Sequence, residues 1–322
     1  MSKKLSKQKL NDIITYGIVI AAFVIMQILI NAGEISSLFQ GLMVPLCTYI
    51  ILAISLNLVV GILGELSLGH AGFMCVGAFT SSFFSKAMQD TITNSTVRFL
   101  LALLIGIITA AIFGIIIGIP VLRLNGDYLA IVTLAFGEII KNLVNVLFIG
   151  KDSKGFHFST KDAVSLNMEP DGKIILNGPQ GITGTPNDST FFIGFILILV
   201  TLFIVLNLIH SRDGRAIMAI RDNRIAAESI GINITKYKLM TFTISAAMAG
   251  AAGVLYAHNL SNLTANTNNF GYNMSINILV FVVLGGIGNI RGSIIAAVVL
   301  TLLPELLRGM SDYRMLIYAI VL

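Results

Sequence analysis

Long apolar runs alternate with short polar segments along almost the whole chain. A run of roughly 20 apolar residues is long enough to cross the hydrocarbon core of a bilayer as an α-helix. The runs lack the two-residue alternation of barrel strands, and backbone groups in lipid need partners within their own segment, so the pattern indicates helices. We predict spans at residues 13–30, 42–63, 66–84, 97–121, 128–149, 190–209, 239–257, 273–290 and 292–307, with a last one beginning near Tyr313.

Composition agrees with this pattern. The 322 residues are 56% hydrophobic and only 11% charged, and a mean hydropathy of +0.88 is too high for one water-soluble core. We therefore predict an all-α integral membrane protein, with residues 1–322 forming a single polytopic bundle of about nine or ten transmembrane helices, some of them broken or glycine-rich. The run at 13–30 is too long for a signal peptide. The run that begins near Tyr313 has too few apolar residues to cross, so we expect an incomplete last helix.

Charge placement predicts an orientation. Lysines cluster before the first span, and segment 210–238 carries six basic and three acidic residues. Positive residues favour the cytoplasmic side, so both segments are expected there, and segment 150–189 is expected outside. The net charge of +5 is not arranged along one face, so we expect no nucleic-acid partner.

Enzyme motifs are missing from the sequence. No GxxxxGK[ST] loop for binding ATP phosphates occurs, and "GGIGNIRG" lacks the spacing of a dinucleotide loop. Ser67 and His70, one helical turn apart in the predicted span, lack a GxSxG elbow and favour a structural pair over a protease. Cys47 and Cys75 lie in apolar runs and are expected to be buried thiols. We predict no catalytic residues, no metal and no cofactor.

The most charged stretch is "SRDGRAIMAIRDNRIAAESIGI", which begins at Ser211. Residues 214–220 and 224–230 predict two short helices, the second capped by Asp222 or Asn223 and ended by Gly231. Topology alone would explain the arginines. Small side chains at helical spacing favour a docking surface instead, and the stretch has six of them: Gly214, Ala216, Ala219, Ala226, Ala227 and Gly231.

This stretch, extended to "GRAIMAIRDNRIAAESIGINITKYKLMTFTISAAMAGAAGVLYAH", resembles the LivM-type permeases of branched-chain amino acid ABC transporters. Further similar segments are "GELSLGHAGFMCVGAF", "GDYLAIVTLAFGEIIK", "NGPQGITGTP", "SINILVFVVLGGIGNIRGS" and "LLPELLR". The resemblance implies a permease subunit without catalysis in a bacterial inner membrane. The Ala-Ala-x-x-x-Gly element of such importers docks into the ATPase and matches Ala226, Ala227 and Gly231.

The resemblance also implies partners: a second homologous permease subunit, two ATP-binding cassette subunits, an extracytoplasmic solute-binding protein and an amino-acid substrate. The expected ATPase-coupling residues are Gly214, Arg215, Arg221, Asp222, Ala226, Ala227, Glu228 and Gly231. Two alternatives stay open: an ABC permease for another small solute, such as a sugar, an amide or urea, or an ion-coupled secondary transporter.

Two groups of residues are candidates for the substrate pathway. Glu138, Lys141, Asn142 and Asn145 form one polar stripe on the fifth span, which would either line the pathway or hold a buried ion pair. Ser67, Gly69 and His70 lie in a glycine-rich segment. The two glycine-interrupted segments, 61–79 and 282–297, predict broken helices near the pathway.

Overall fold

The computed structural model describes residues 7–33, 36–124, 126–170 and 172–307. The predicted last span beginning near Tyr313 lies outside these residues. Within them the chain forms a helical bundle with a small sheet at one end. The helices are α1 (Lys7–Asn31), α2 (Ser37–Asn57), α3 (His70–Ala87), α4 (Ser95–Val121), α5 (Asp127–Val146), α6 (Phe191–His210), α7 (Arg212–Asp222), α8 (Arg224–Ser229), α9 (Ile234–Ala257), α10 (Thr267–Phe270), α11 (Tyr272–Gly285) and α12 (Ile290–Leu306).

Six helical segments of the described chain are long and apolar enough to cross a membrane. They confirm a multi-pass α-helical membrane protein. Three other predicted spans correspond to the shorter helices α3, α11 and α12, of 18, 14 and 17 residues. The six segments are Asp12–Asn31, Ser37–Leu63, Ser95–Val121, Asp127–Val146, Phe191–His210 and Ile234–Ala257.

Helix α9 packs against both α3 and α4. Its crossing with α3 is very close, since a Cβ added to Gly77 would lie 2.3 Å from the carbonyl oxygen of Gly250. Glycine at such a crossing lets two backbones approach and gain van der Waals contact where no hydrophobic effect operates between helices. The outer helices α1, α4 and α6 expose isoleucine, leucine and phenylalanine, as lipid-facing surfaces do.

The helical path of the continuous chain is interrupted after α2, and we call such an interruption of a helix a chain break. Residues Leu58–Leu63 form a π-helical turn, Gly64 has a left-handed φ of +80°, and helix resumes only at His70. The predicted span 66–84 was therefore wrong at its start, because the glycine after the π-helical turn ends the helix. Ser67 and His70 do not share a helical turn.

A second break separates α11 from α12. Helix α11 ends at Gly285 rather than running to residue 290 as predicted, and Gly286 and Gly288 both have positive φ. A left-handed backbone at two glycines so close together cannot continue a right-handed helix. The two chain breaks are thus both built on glycine.

A small antiparallel sheet occupies the segment between α5 and α6. Its strands are β1 (Phe148–Asp152), β2 (Gly155–Ser159) and β3 (Lys173–Asn177), in the order β2-β1-β3, and a two-stranded pair joins β4 (Ile182–Thr183) to β5 (Asn262–Leu263). The sequence pattern did not predict these strands. We call this end of the bundle the sheet end, and the opposite end, where α7 and α8 lie, the coupling end.

Candidate translocation and coupling sites

The charged stretch forms two short helices, as predicted. The side chain of Ser211 accepts a hydrogen bond from Gly214 N at 3.0 Å and caps α7, and that of Asn223 accepts from Ala226 N at 3.0 Å and caps α8. Of the two proposed caps for α8, Asn223 is thus the one used. Gly231 follows α8 with a φ of +87°, which confirms the left-handed position expected there.

Only part of the predicted docking surface faces outward. Gly214 and Ala227 are buried, and a Cβ at Gly214 would lie 2.0 Å from the carbonyl oxygen of Leu208. Gly214 is therefore small so that α7 can turn tightly against the end of α6. The exposed positions among the predicted coupling residues are Arg215, Asp222, Ala226, Glu228 and Gly231, whereas the side chain of Arg221 is only partly exposed.

Two apolar side chains add to this outward surface. Ile225 is 80% exposed and Ile230 is 76% exposed. Ile225 precedes the exposed Ala226 on the short helix α8, and Ile230 directly follows that helix. Large isoleucines left in solvent beside arginines are typical of a surface that binds another protein.

Arg221 joins this surface to the first chain break. Its Nη1 donates to the carbonyl oxygen of Gly61 at 3.0 Å, while Nε and Nη2 donate to Asp222 Oδ1. Close by, the buried Lys238 of α9 forms an ion pair with Glu65. The coupling end therefore holds the broken segment by charged contacts from two helices.

The two glycine-rich breaks also contact each other. Asn57 Oδ1 accepts from Gly288 N at 2.9 Å, and Asn57 Nδ2 donates to Ser293 Oγ at 2.8 Å. A Cβ on Gly61 would lie 2.3 Å from Gly288 N. The predicted broken helices of segments 61–79 and 282–297 thus form one junction inside the bundle.

The polar stripe on α5 faces the polar segment before α11. Lys141 Nζ lies 2.5 Å from Glu138 Oε2 and donates to Thr267 Oγ1 at 3.1 Å. Asn145 Nδ2 donates to the carbonyl oxygen of Ala265 at 2.9 Å. The stripe therefore binds a side chain of the short helix α10 and a backbone carbonyl of the irregular chain before it, and irregular chain within a membrane protein needs such partners.

Asn142 differs from the other members of the stripe because its side chain is exposed on the outer face of α5. The predicted ion pair is present, with Lys141 9% and Glu138 25% exposed. An ion pair and a pathway wall are compatible here, since Glu138 keeps partial exposure.

The second candidate group packs against α5. The backbone N of Leu68 donates to Thr133 Oγ1 at 3.0 Å, and a Cβ on Gly69 would lie 2.3 Å from the carbonyl oxygen of Thr133. His70 Nε2 lies 2.6 Å from Ser55 Oγ and is buried. Ser67 Oγ is also buried, and no hydrogen-bond partner for it exists among the described residues.

Sequence patterns did not predict the polar residues of α2 that contact the two broken segments. Asn57 and Ser55 lie in a run that is otherwise apolar, and their isolated polar side chains within a predicted span were the available signal. The partners on the segment before α11 had no signal beyond general polarity.

The fold and these sites define a class: a polytopic α-helical membrane protein with a helix pair exposed at one end and two broken segments joined within the bundle. Residues 38–322 match the family described as "Branched-chain amino acid transport system / permease component". The chain belongs to this family.

Relatives from several organisms are similar to the chain. The high-affinity branched-chain amino acid transport system permease proteins LivM of Salmonella typhimurium and Escherichia coli are each 36% identical over 277 residues, which is 83% of this chain and 63% of theirs. The chain thus spans less than two thirds of the length of these relatives. LivH of Salmonella typhimurium is 27% identical, over 79% of each chain.

A permease for a different solute is also similar. The fructose import permease protein FruG of Bifidobacterium longum is 27% identical, over 86% of this chain and 76% of its own. No solved structure matches the chain.

Proposed function

We propose that the protein is the transmembrane permease subunit of an ABC importer that moves branched-chain or other hydrophobic amino acids into a bacterial cell. The observation that carries this proposal is the exposed α7–α8 pair on a chain of the permease family. The chain performs no catalysis in this proposal. Separate ATPase chains supply the energy.

The proposed assembly has three kinds of protein partner. Of its two ATP-binding cassette subunits, one binds the α7–α8 surface of this chain, where Ile225 and Ile230 are exposed. A second homologous permease subunit completes the pathway, as the similarity to both LivM and LivH supports. An extracytoplasmic solute-binding protein delivers the solute to the sheet end.

The proposed orientation follows from charge. The N-terminus and the coupling end face the cytoplasm, and the sheet end faces outside the bacterial plasma (inner) membrane. Ser165 is exposed in the sheet-end segment, whereas Cys47 and Cys75 are buried. With both cysteines replaced by alanine, a cysteine at Ser165 is expected to react with an impermeant maleimide in intact cells. Reaction only after permeabilisation would contradict this orientation.

The proposed pathway runs past two groups of residues. Glu138, Lys141 and Asn145 offer charge and amide groups to the ammonium and carboxylate of an amino acid, whereas Asn142 lies on the outer face of α5. Ser67, Gly69 and His70 lie on the facing broken segment, where the unpaired Ser67 hydroxyl is one hydrogen-bonding group without a partner in the described chain.

Solute identity decides between this proposal and its rival. FruG is a fructose import permease, so a sugar is the main alternative solute. The test is to express the tagged chain in its native cell, identify the permease, ATPase and binding-protein chains that co-purify, and reconstitute them. ATP-dependent uptake of leucine, isoleucine or valine is expected. Uptake of fructose alone would favour the sugar alternative, and uptake driven by an ion gradient without ATP would contradict the proposal.

A further inference from the structure

Arg221 differs from Arg215 of the same helix in the group that its guanidinium binds. Arg215 is exposed and donates to the carbonyl oxygen of His210 in the preceding turn. Arg221 instead reaches into the bundle and binds the carbonyl oxygen of Gly61. Among the coupling residues it is thus the one whose charged group contacts a chain break.

The carbonyl of Gly61 is available because of the π-helical turn. Gly61 lies in the last turn of Leu58–Leu63, where carbonyl groups have no later helical N–H to accept from. A buried carbonyl without a partner is unfavourable. The guanidinium of Arg221 supplies the donor, and a hydrogen bond from a charged group is stronger than one between neutral groups.

The aliphatic stem of the Arg221 side chain packs closely against the end of the same π-helical turn. A Cβ built on Gly64 would lie 2.6 Å from Arg221 Cγ, so the stem runs directly beneath the left-handed glycine that ends the turn. Arg221 and Asp222 have side chains 37% and 66% exposed, and an ion pair that exposed contributes little. The contact that fixes Arg221 is therefore the one to the π-helical turn.

Gly61 is also the point where both breaks meet. Its peptide lies against Gly288, and Asn57, one turn earlier, binds Gly288 N and Ser293 Oγ. A displacement of α7 would thus pass through one side chain to the broken ends of α2, α11 and α12. Rigid helices joined by such contacts are able to carry coupling between distant sites.

We propose that Arg221 is the positioning residue that transmits movement of the ATPase-bound α7–α8 pair to the junction of the two broken helices. This inference rests on the proposed function. It separates two tasks within one surface: Ala226, Ile230 and Gly231 hold the ATPase, whereas Arg221 faces inward and links the held surface to the pathway. Loss of Arg221 then uncouples ATP hydrolysis from transport without loss of the ATPase.

The test compares Arg221→Met with Arg212→Met in the reconstituted complex. Arg212 is exposed at the start of the same helix, so its substitution removes the same charge at the same coupling end. We expect both variants to retain their ATPase subunits and basal hydrolysis. The solute imported per ATP should fall about fivefold or more for Arg221→Met, the range of measured coupling energies, and stay unchanged for Arg212→Met.

A cross-link provides a second measurement on the same contact. The Cβ built on Gly64 lies 3.4 Å from Arg221 Cβ, close to the separation of roughly 3.5–4.5 Å found in disulfides. In a chain with Cys47 and Cys75 replaced by alanine, Gly64→Cys with Arg221→Cys is expected to transport poorly when reduced. Oxidation should restore the solute-to-ATP ratio severalfold, because the disulfide replaces the lost link.

The outcomes distinguish the two proposals. If the unaltered complex fails to import solute with ATP, the proposed function is wrong. If it imports solute and Arg221→Met gives the same solute-to-ATP ratio, or the oxidised cysteine pair transports no better than the reduced pair, the transmission role of Arg221 is overturned.

Discussion

Glu138 accepts a hydrogen bond from the backbone N–H of Tyr272, with 2.8 Å between Oε1 and N. Tyr272 is the first residue of α11, and its N-cap, Gly271, has no side chain to cap the helix. A Cβ on Gly271 would lie 2.9 Å from Glu138 Oε1, so glycine makes room for the carboxylate. A carboxylate on α5 thus caps α11 at its first residue, and the positive end of that helix favours it.

This relationship predicts unequal effects for substitutions in the stripe. Glu138→Ala should destabilise the protein by about 3 kcal/mol, because it leaves the buried Lys141 without its ion-pair partner. Glu138→Gln with Lys141→Met should recover most of that loss, since glutamine still accepts from Tyr272 N. Thermal unfolding in detergent measures both variants.

A control on the same helix is Asn142→Ala, an exposed position that should change stability by no more than about 0.5 kcal/mol. Uptake by the double variant then tests the pathway role. If the stripe lines the pathway, the stable double variant transports poorly. Wild-type uptake by that variant would show that the stripe only supports the fold.

Docking at Gly231 is predicted to be sensitive to side-chain size. Nothing lies within 4 Å of a Cβ built there, so Gly231→Trp meets no clash within the fold and adds only local backbone strain at its positive φ, while its ring blocks close approach of the ATPase. The matched control is Gly231→Asn, because asparagine tolerates a positive φ. Loss of ATPase co-purification is expected for tryptophan and not for asparagine. Equal co-purification of both variants would remove Gly231 from the docking surface.

The edge strand β2 presents an apolar side chain at the sheet end. Phe158 is 67% exposed, and β2 lies at the edge of the three-stranded sheet. We predict that Phe158→Asp weakens stimulation of ATPase activity by the solute-binding protein, because it places charge in an apolar contact. Thr160→Asp adds the same charge two residues away and is the control. Equal stimulation in both variants would argue against β2 as the receiving surface.

The stability of the same sheet depends on pH through the carboxyl group of Asp152. Burial raises the pKa of Asp152, but hydrogen bonds from the backbone N–H groups of Lys154, Glu169 and Gly155 and from the side chain of His157 lower it by more. Its folded pKa is thus below the unfolded value. The carboxylate stabilises the sheet above the unfolded pKa, and this contribution is lost as the pH falls through the folded pKa.

The hydrogen-exchange protection factors of β1 and β2, which are corrected for the intrinsic pH dependence of amide exchange, are therefore expected to fall in acid in the unaltered chain. Asp152→Asn should already exchange faster at neutral pH and show a weaker response to acid. An unchanged acid response in this variant would assign the effect to other groups.

Local patterns predicted the parts of the coupling end that depend on neighbouring residues. The two helices α7 and α8, the cap at Asn223 and the left-handed Gly231 all follow from short-range rules on capping and helix termination. The similarity of this stretch to one permease family gave its expected role. Orientation followed from lysine and arginine placement and stays a prediction.

The bounds of the broken helices were harder to predict. Hydropathy continues through Gly64 and through residues 286–290, so apolar windows started one predicted span at residue 66, before α3 begins at His70, and carried another to residue 290, past the end of α11 at Gly285. Backbone geometry, not hydropathy, ends a helix at such glycines. The sheet between α5 and α6 was missed because its strands are short and pair across intervening loops.

By itself, the sequence determined a multi-pass α-helical membrane protein, a charged helix pair between two spans, and the polar stripe on α5. These are properties of periodicity, composition and near neighbours. Only the tertiary structure decided which groups those elements serve: Arg221 binds Gly61, Asn57 binds Gly288, and Glu138 caps α11. The physical reason is distance along the chain. Each contact joins groups more than a hundred residues apart. Packing of the whole bundle therefore places each polar side chain against a backbone N–H or carbonyl that has no helical partner where a helix begins or ends.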